Sequence, residues 1–157
     1  MRYYDILKNE KFLSLLAQLK ELEAGREYCR HGIEHLMDVA RIAYILSLEK
    51  GLDIDKDIIY TTALLHDVGR GEQYISGRDH HATGAVIAEE ILKDMTYSPE
   101  ETEMITSAIA AHGHKTDGDN LKGVLYAADK LSRACFLCPA NEKCNWDQDK
   151  KNHILRY

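Results

Sequence analysis

Two adjacent residues, His66 and Asp67, close the apolar run Thr62-Ala-Leu-Leu65 and stand just before Val68-Gly69-Arg70. A histidine and a carboxylate are poor core residues unless they are paired or bound to metal. Further residues of the same two types recur along the chain: His35 upstream, then His80, His112 and Asp129 downstream. Imidazole nitrogen and carboxylate oxygen are the donors that borderline divalent metals take, and several must converge on one ion. His35 stands among residues that otherwise face a core. Asp129 is embedded in the small-residue apolar stretch Leu125-Tyr-Ala-Ala-Asp-Lys-Leu-Ser132, where a lone aspartate is more often hydrogen-bonded or half of an ion pair. Three independent oddities with one shared chemistry point to a metal centre.

Helices must bring these residues together, because the periodicity is helical almost throughout. Ile6, Leu7, Phe12, Leu15, Leu16, Leu19 and Leu22 recur at three- and four-residue steps, which predicts a first helix ending near Gly25. A second is expected from about Glu27 to Lys50, stopped by Gly51, with Ile33, Leu36, Met37, Ala40, Ala43, Tyr44 and Ile45 inward. Asp53 or Asp55 can cap a third, which ends at His66-Asp67. A fourth is expected from about His81 to Met95. Ser98-Pro-Glu-Glu101 is a capping box with proline at the first helical position, starting a fifth that ends near His112. Thr116-Asp117-Gly118-Asp119 reads as a loop, and a sixth helix as about Leu121 to Cys135. The pattern predicts an all-α fold in a single domain: an N-terminal helix in residues 1–25, a metal-binding core in 27–135 and an irregular tail in 136–157.

The residues quoted resemble the HD-domain superfamily of metal-dependent phosphohydrolases. The likeness runs from about Cys29 to Arg133 and is carried by five segments in order: His35-Leu-Met-Asp-Val-Ala40, Ala63-Leu-Leu-His-Asp-Val-Gly-Arg70, His80-His-Ala-Thr-Gly-Ala85, Ala108-Ile-Ala-Ala-His112 and Tyr126-Ala-Ala-Asp129. The histidine-aspartate doublet alone is a weak signal; five ordered segments are a strong one. The resemblance implies that His35, His66, Asp67 and Asp129 hold one metal and that His80 and His112 hold a second, with Asp67 bridging. His80 is chosen over His81 by counting back four residues from Gly84, which leaves His81 as a neighbouring or substrate contact. His31, His114 and His153 are expected to be ordinary: a partly exposed helix residue, a loop residue and a tail residue.

Two rival motifs fare worse. His31-Gly-Ile-Glu34-His35 matches the pattern of inverted zinc proteases, yet it leaves His66, Asp67, His80, His112 and Asp129 unexplained. Asp53-x-Asp55-x-Asp57 resembles the start of a calcium loop, but Ile58 stands where glycine is needed and Leu64 where a bidentate glutamate is needed.

One or two divalent ions (iron, manganese or zinc) in such a site would activate water for attack on phosphorus and neutralise phosphate oxygens. Asp67 is then the central catalytic ligand. Arg70 stands where the family often has lysine, and its guanidinium can grip phosphate bidentately. Lys130 and Arg133 follow Asp129 and are further phosphate-binding candidates. The resemblance therefore implies hydrolysis of a small phosphorylated molecule, a nucleotide or dinucleotide. The superfamily serves dinucleoside polyphosphates and signalling nucleotides, and its diadenosine-tetraphosphate hydrolases share the five segments. Two alternatives stay open: a di-iron oxygenase, whose ligand set is alike, and a non-catalytic metal-binding or sensory domain. The chain stops soon after Asp129, so one wall of the pocket is left to other residues or to a second subunit of a homodimer.

A formal net charge of −6 over 157 residues argues against binding nucleic acid polymers through their phosphates. With no membrane-length apolar run and no secretory pattern, a cytoplasmic setting is expected. Four cysteines there are more often free thiols or metal ligands than disulfides. Cys135, Cys138 and Cys144 crowd the tail, one thiol short of a closed tetrahedral site. Cys29 lies six residues before His35 and Cys135 six after Asp129. On antiparallel helices those offsets, each about 9 Å, would bring the two to one level. A Cys29/Cys135/Cys138/Cys144 site for zinc or an iron–sulfur centre is thus expected on equal terms with four small buried side chains.

Overall fold

The computed structural model describes residues 1–116 and 118–157. Their regular structure is helical: α1 (Tyr3–Ile6), α2 (Glu10–Leu22), α3 (Ile33–Glu49), α4 (Lys56–Leu65), α5 (Arg70–Ser76), α6 (His80–Leu92), α7 (Pro99–Ala111) and α8 (Leu121–Leu131). Three single 3-10 turns follow, at Cys135–Leu137, Asn141–Lys143 and Gln148–Lys150. The all-α expectation holds, and the tail is irregular as expected. Among the described residues no helix is long and apolar enough to cross a membrane. The expected Thr116–Asp119 loop includes Asp117, which lies outside the described residues.

α3 is the central element, packed against α4 on one side and α8 on the other, while α6 pairs with α7 and α5 bridges α2 and α6. The core between them holds Phe12, Val39, Ile59, Leu65, Ile91, Ile105, Ile109 and Leu125, each almost wholly removed from water. Burying such side chains stabilises by about 1.5–3 kcal/mol apiece. The inward stripe of α3 is His35, Leu36, Val39, Ala40, Ile42, Ala43, Leu46 and Ser47. Ile45, expected to face inward, points outward, because the stripe tilts along Ile42 and Leu46.

Several boundaries differ from the sequence expectation for local reasons. The first helix is two, since Asn9 turns extended and its side chain accepts from Phe12 N at 3.0 Å, restarting the helix as α2. The second starts six residues late. Gly32 is its extended N-cap, and residues 26–31 are held instead by side chains, with Arg26 Nε donating to Cys29 O at 2.8 Å. It ends as expected: Gly51 has φ 64° and Leu52 N donates back to Ser47 O at 2.9 Å, a left-handed stop that glycine makes at no steric cost. The capping box of Ser98 and Glu101 forms as expected. α5 was not expected; only Gly71 of its seven residues is buried, so it carries no periodic apolar stripe. α8 ends at Leu131, four residues short, leaving Arg133 and Cys135 outside any α-helix.

Candidate metal centre

Five helices deliver the six sequence-selected residues to one place. His35 sits in the first turn of α3, His80 opens α6, His112 ends α7 and Asp129 lies near the end of α8. His66 and Asp67 occupy the turn between α4 and α5, closed by Val68 N to Leu65 O and Arg70 N to Asp67 O. All six are buried.

Asp67 divides its two oxygens between two sets of rings. Oδ2 lies 3.5 Å from His35 Nε2 and 3.1 Å from His66 Nε2. Oδ1 lies 3.8 Å from His80 Nε2 and 3.7 Å from His112 Nε2. Asp129 Oδ1 completes the first set, 3.3 Å from His35 Nε2 and 3.8 Å from His66 Nε2. Donor atoms of His35, His66 and Asp129 all fall within 4.8 Å of one another, as do those of His66, Asp67 and His112.

The rings are locked from behind. His66 Nδ1 lies 2.7 Å from Ala63 O and His112 Nδ1 2.6 Å from Ile109 O. A carbonyl only accepts, so both rings carry their proton on Nδ1 and turn the Nε2 lone pair inward. Ser132 Oγ donates to Asp129 O and accepts from His35 Nδ1 at 3.1 Å, which sets the same tautomer there. His66 Nε2 and both ring nitrogens of His80 are buried without a hydrogen-bond partner, a costly arrangement for neutral polar atoms. Orphaned lone pairs converging beside two carboxylates fit a cation, and this cluster could hold divalent metal.

The electrostatics agree. Burial pushes the Asp67 carboxyl up, but the His66, His112 and His35 rings outweigh it and hold it well below the usual range. Asp129 is held down likewise, burial being outweighed by His35, His66 and Lys130. His80 is pushed down to about 3 by burial and by the charge of Arg70, so it is neutral near pH 7, the form that ligates metal.

His81 lies closer to the centre than a bystander would. Its donors fall within 4.8 Å of those of His80 and His112, and its ring nearly fills the space where a side chain on Gly113 would stand. Its Nδ1 is taken by Asp79 Oδ2 at 3.2 Å, leaving Nε2 for an outside partner.

Beside the cluster opens a cavity of about 600 Å³, and the sequence-selected cations Arg70, Lys130 and Arg133 line it together with Arg26. Arg70 reaches Asp67 Oδ1 at 3.2 Å and Lys130 reaches Asp129 Oδ2 at 2.6 Å. Arg133 Nη2 stands 2.9 Å from His35 Nε2, and its Nη1 donates to Arg30 O at 2.8 Å. Cys144, Asn145 and Trp146 of the tail close the wall that the sequence left unassigned.

Sequence reasoning missed one buried pair. His31 is not a partly exposed helix residue; it precedes α3, is buried, and packs edge-on against His35 with ring centres 5.8 Å apart. Its Nδ1 pairs with Glu23, which also accepts from His31 N and from Tyr74 Oη. The signal available was the triplet of polar types at residues 23, 31 and 74, unreadable without the fold. Burial pushes Glu23 up, but the His31 ring, the His31 amide and Tyr74 bring it down to about 2. A depressed carboxylate contributes stability that is present above its unfolded value of 4.5 and lost as pH falls toward 2. Glu23→Gln should therefore destabilise the fold by on the order of 2–3 kcal/mol at pH 7. That difference should shrink as denaturation is measured at successively lower pH between 5 and 2; a pH-independent difference would refute it.

The four cysteines are free, with Cys135 buried and the other three half-buried. The helical offsets expected for Cys29 and Cys135 do not apply, since neither residue is in an α-helix. They border one cavity nonetheless, which Arg30 and Arg133 also line. Among the described residues, none of the groups of three or more donors within 4.8 Å of one another includes a cysteine. His114 is exposed in the loop after α7 and His153 is exposed in the tail, as expected.

The HD domain family model matches residues 32–134, and the chain belongs to that family. Among its relatives, an uncharacterized protein of Clostridium beijerinckii is 40% identical over 156 residues, covering 99% of both chains. Ribonuclease Y of Clostridium perfringens is 31% identical over 121 residues, 76% of this chain. This chain spans only 22% of that enzyme's length. The crystal structure of a predicted HD superfamily hydrolase from an uncultured Thermotogales bacterium superposes with a TM-score of 0.64 at 22% identity, covering 88% of this chain and 80% of that one. Its likeness shows the shared fold.

Proposed function

We propose that this protein is a metal-dependent phosphohydrolase acting on a small phosphorylated molecule, a nucleotide or dinucleotide. The observation that carries the reading is the division of Asp67, one oxygen toward His35 and His66 and the other toward His80 and His112. Such a carboxylate suits a pair of ions, with Asp129 completing the first ligand set. Iron, manganese and zinc all accept this mixture of imidazole and carboxylate. When bound, two such ions lower the pKa of a water and neutralise charge on phosphorus oxygens during in-line displacement.

The chain's own residues supply the rest. Arg70, Lys130 and Arg133 present cations to the cavity, where they would bind and orient phosphate oxygens. Trp146 and Tyr126 flank Lys130 at 5.7 and 5.3 Å from their ring centres, offering an aromatic surface to a base. A hydrolase of phosphodiesters among the relatives, Ribonuclease Y by its name, fits the same bond chemistry. The net charge of −6 favours a small substrate over an RNA chain.

The test is a metal-loaded screen of phosphomonoesters, dinucleoside polyphosphates, cyclic dinucleotides and an oligoribonucleotide, with oxygen uptake followed in parallel. Release of phosphate or nucleotide from a small ester supports the reading. Preferential cleavage of the oligoribonucleotide, or substrate-dependent oxygen uptake without hydrolysis, overturns it.

The doubled histidine gives a sharper outcome. His80 is buried with both nitrogens unpaired, whereas His81 is tied to Asp79. His80→Ala should reduce bound metal from two ions to one and lower turnover by about 10²–10³-fold. His81→Ala should keep both ions and act mainly on KM. The reverse pattern of metal content would move the ligand to His81.

A further inference from the structure

All four cysteines of the chain gather on one side of the molecule, outside the cluster of histidines and aspartates. Cys29 borders two cavities. One, of about 420 Å³, it shares with Cys135 and Cys138; the other it shares with Cys144. The tail presents its thiols from tight turns: Cys138 and Cys144 each terminate a 3-10 turn, and Cys138 N donates to Cys135 O at 3.2 Å. Tyr28 Oη donates to Lys143 O at 3.3 Å, bringing the residue beside Cys29 onto the residue beside Cys144. Three of the four side chains are only half-buried, which is poor use of cysteine as a small core hydrophobe. Burial pushes the Cys29 thiol up, Arg133 pulls it down, and charge on Cys135, Cys138 or Cys144 pushes it up again, so all three stand within electrostatic reach.

The spacing discriminates between occupants. A zinc ion with Zn–S bonds near 2.3 Å requires its four sulfurs about 3.8 Å apart. Among the described residues no group of three or more donors within 4.8 Å contains a cysteine, so no three of these thiols stand at the spacing of a tetrahedral zinc site, although Cys29 faces Cys135 and Cys138 across one cavity and Cys144 across the other. A cube of iron and sulfide places its irons at separate corners and spreads its four thiolates more widely. Four thiolates also need compensating charge, and Arg26, Arg30 and Arg133 line the cavity that holds Cys29, Cys135 and Cys138. We propose that Cys29, Cys135, Cys138 and Cys144 hold a four-iron, four-sulfide cluster that staples the tail to the segment before α3.

The experiment uses the full chain, purified anaerobically and reconstituted with sulfide and an equimolar mixture of ferrous and ferric iron, which supplies the mixed oxidation level of such a cluster. The wild-type protein should carry about four acid-labile sulfides per chain and a broad absorbance of thiolate-bound iron that dithionite bleaches. Asp67→Ala should retain the sulfide, separating this centre from the proposed phosphohydrolase site. Cys138→Ser and Cys144→Ser should reduce labile sulfide at least tenfold. Wild-type protein that binds zinc in its thiols, or that shows four titrating thiols and no labile sulfide after reconstitution, overturns the cluster. That measurement on the wild type decides the matter even if the serine variants fail to fold.

Discussion

Asp67→Ala should abolish metal binding at the histidine–aspartate centre and hydrolysis together while leaving the helical fold intact. Among the described residues Asp67 is the carboxylate that faces both sets of rings, since its Oδ2 serves His35 and His66 and its Oδ1 serves His80 and His112. Removing the carboxylate leaves four buried imidazoles and Arg70 around a space with only Asp129 to offset incoming positive charge. Metal bound at the histidine–aspartate centre, counted apart from iron matched by labile sulfide, should fall below about one-tenth of the wild-type level. Losing several kcal/mol of transition-state stabilisation corresponds to a rate loss on the order of 10³-fold or more. Metal analysis and turnover under saturating metal check the expectation, with circular dichroism to confirm the fold. A variant with two ions and undiminished turnover would remove the bridging role and with it the dinuclear reading.

The second large effect is expected at a residue that touches neither metal nor substrate. A Cβ on Gly69 would stand 2.3 Å from His80 O, 2.6 Å from Gly84 N and 3.0 Å from Gly84 Cα. All three are backbone atoms of α6, so no side-chain rotation relieves the clash. Gly69→Ala must push the start of α6 away from the turn that bears Asp67. Overpacking of this kind costs about 1–3 kcal/mol and sometimes more, and here it also withdraws His80 from Asp67. The denaturation midpoint should drop by the equivalent of about 3 kcal/mol, and bound metal should fall to one ion. Gly25→Ala is the control, because nothing lies within 4 Å of its Cβ; its effect should stay within about 0.5 kcal/mol. Equal stabilities for the two variants would refute the close-contact account.

Most of the centre was legible because its residues break the pattern around them. A histidine or aspartate inside an apolar helical face announces itself, and six of them in a family order left little choice about which would meet. The start of α7 was equally legible, because a capping box is a local event within four residues. What could not be read depends on contacts across the chain. The break at Asn9 is a cap that competes with a continuous apolar stripe, and periodicity favours the stripe. α5 has too little buried surface to leave a pattern. His31 resembled a solvated residue until Glu23, eight positions earlier, folded back onto it. Arg133 and Cys135 were placed on a helix that ends before them, so the helical offsets that were to level Cys29 with Cys135 do not exist; the two residues instead border one cavity from irregular segments.

Asn152, near the end of the chain, donates from its side-chain amide to Lys130 O at 2.8 Å and to Arg133 O at 2.7 Å. The last carbonyls of a helix have no partner within it, so the tail closes α8 from some twenty residues away. Fraying of that helix and detachment of the tail are consequently one opening event with one free energy. Asp129 lies a single residue from the carbonyl being closed. The lifetime of a deeply buried acidic side chain in its place is thereby governed by a segment on the molecular surface, and a nick in the tail would be felt at the centre without altering any residue there.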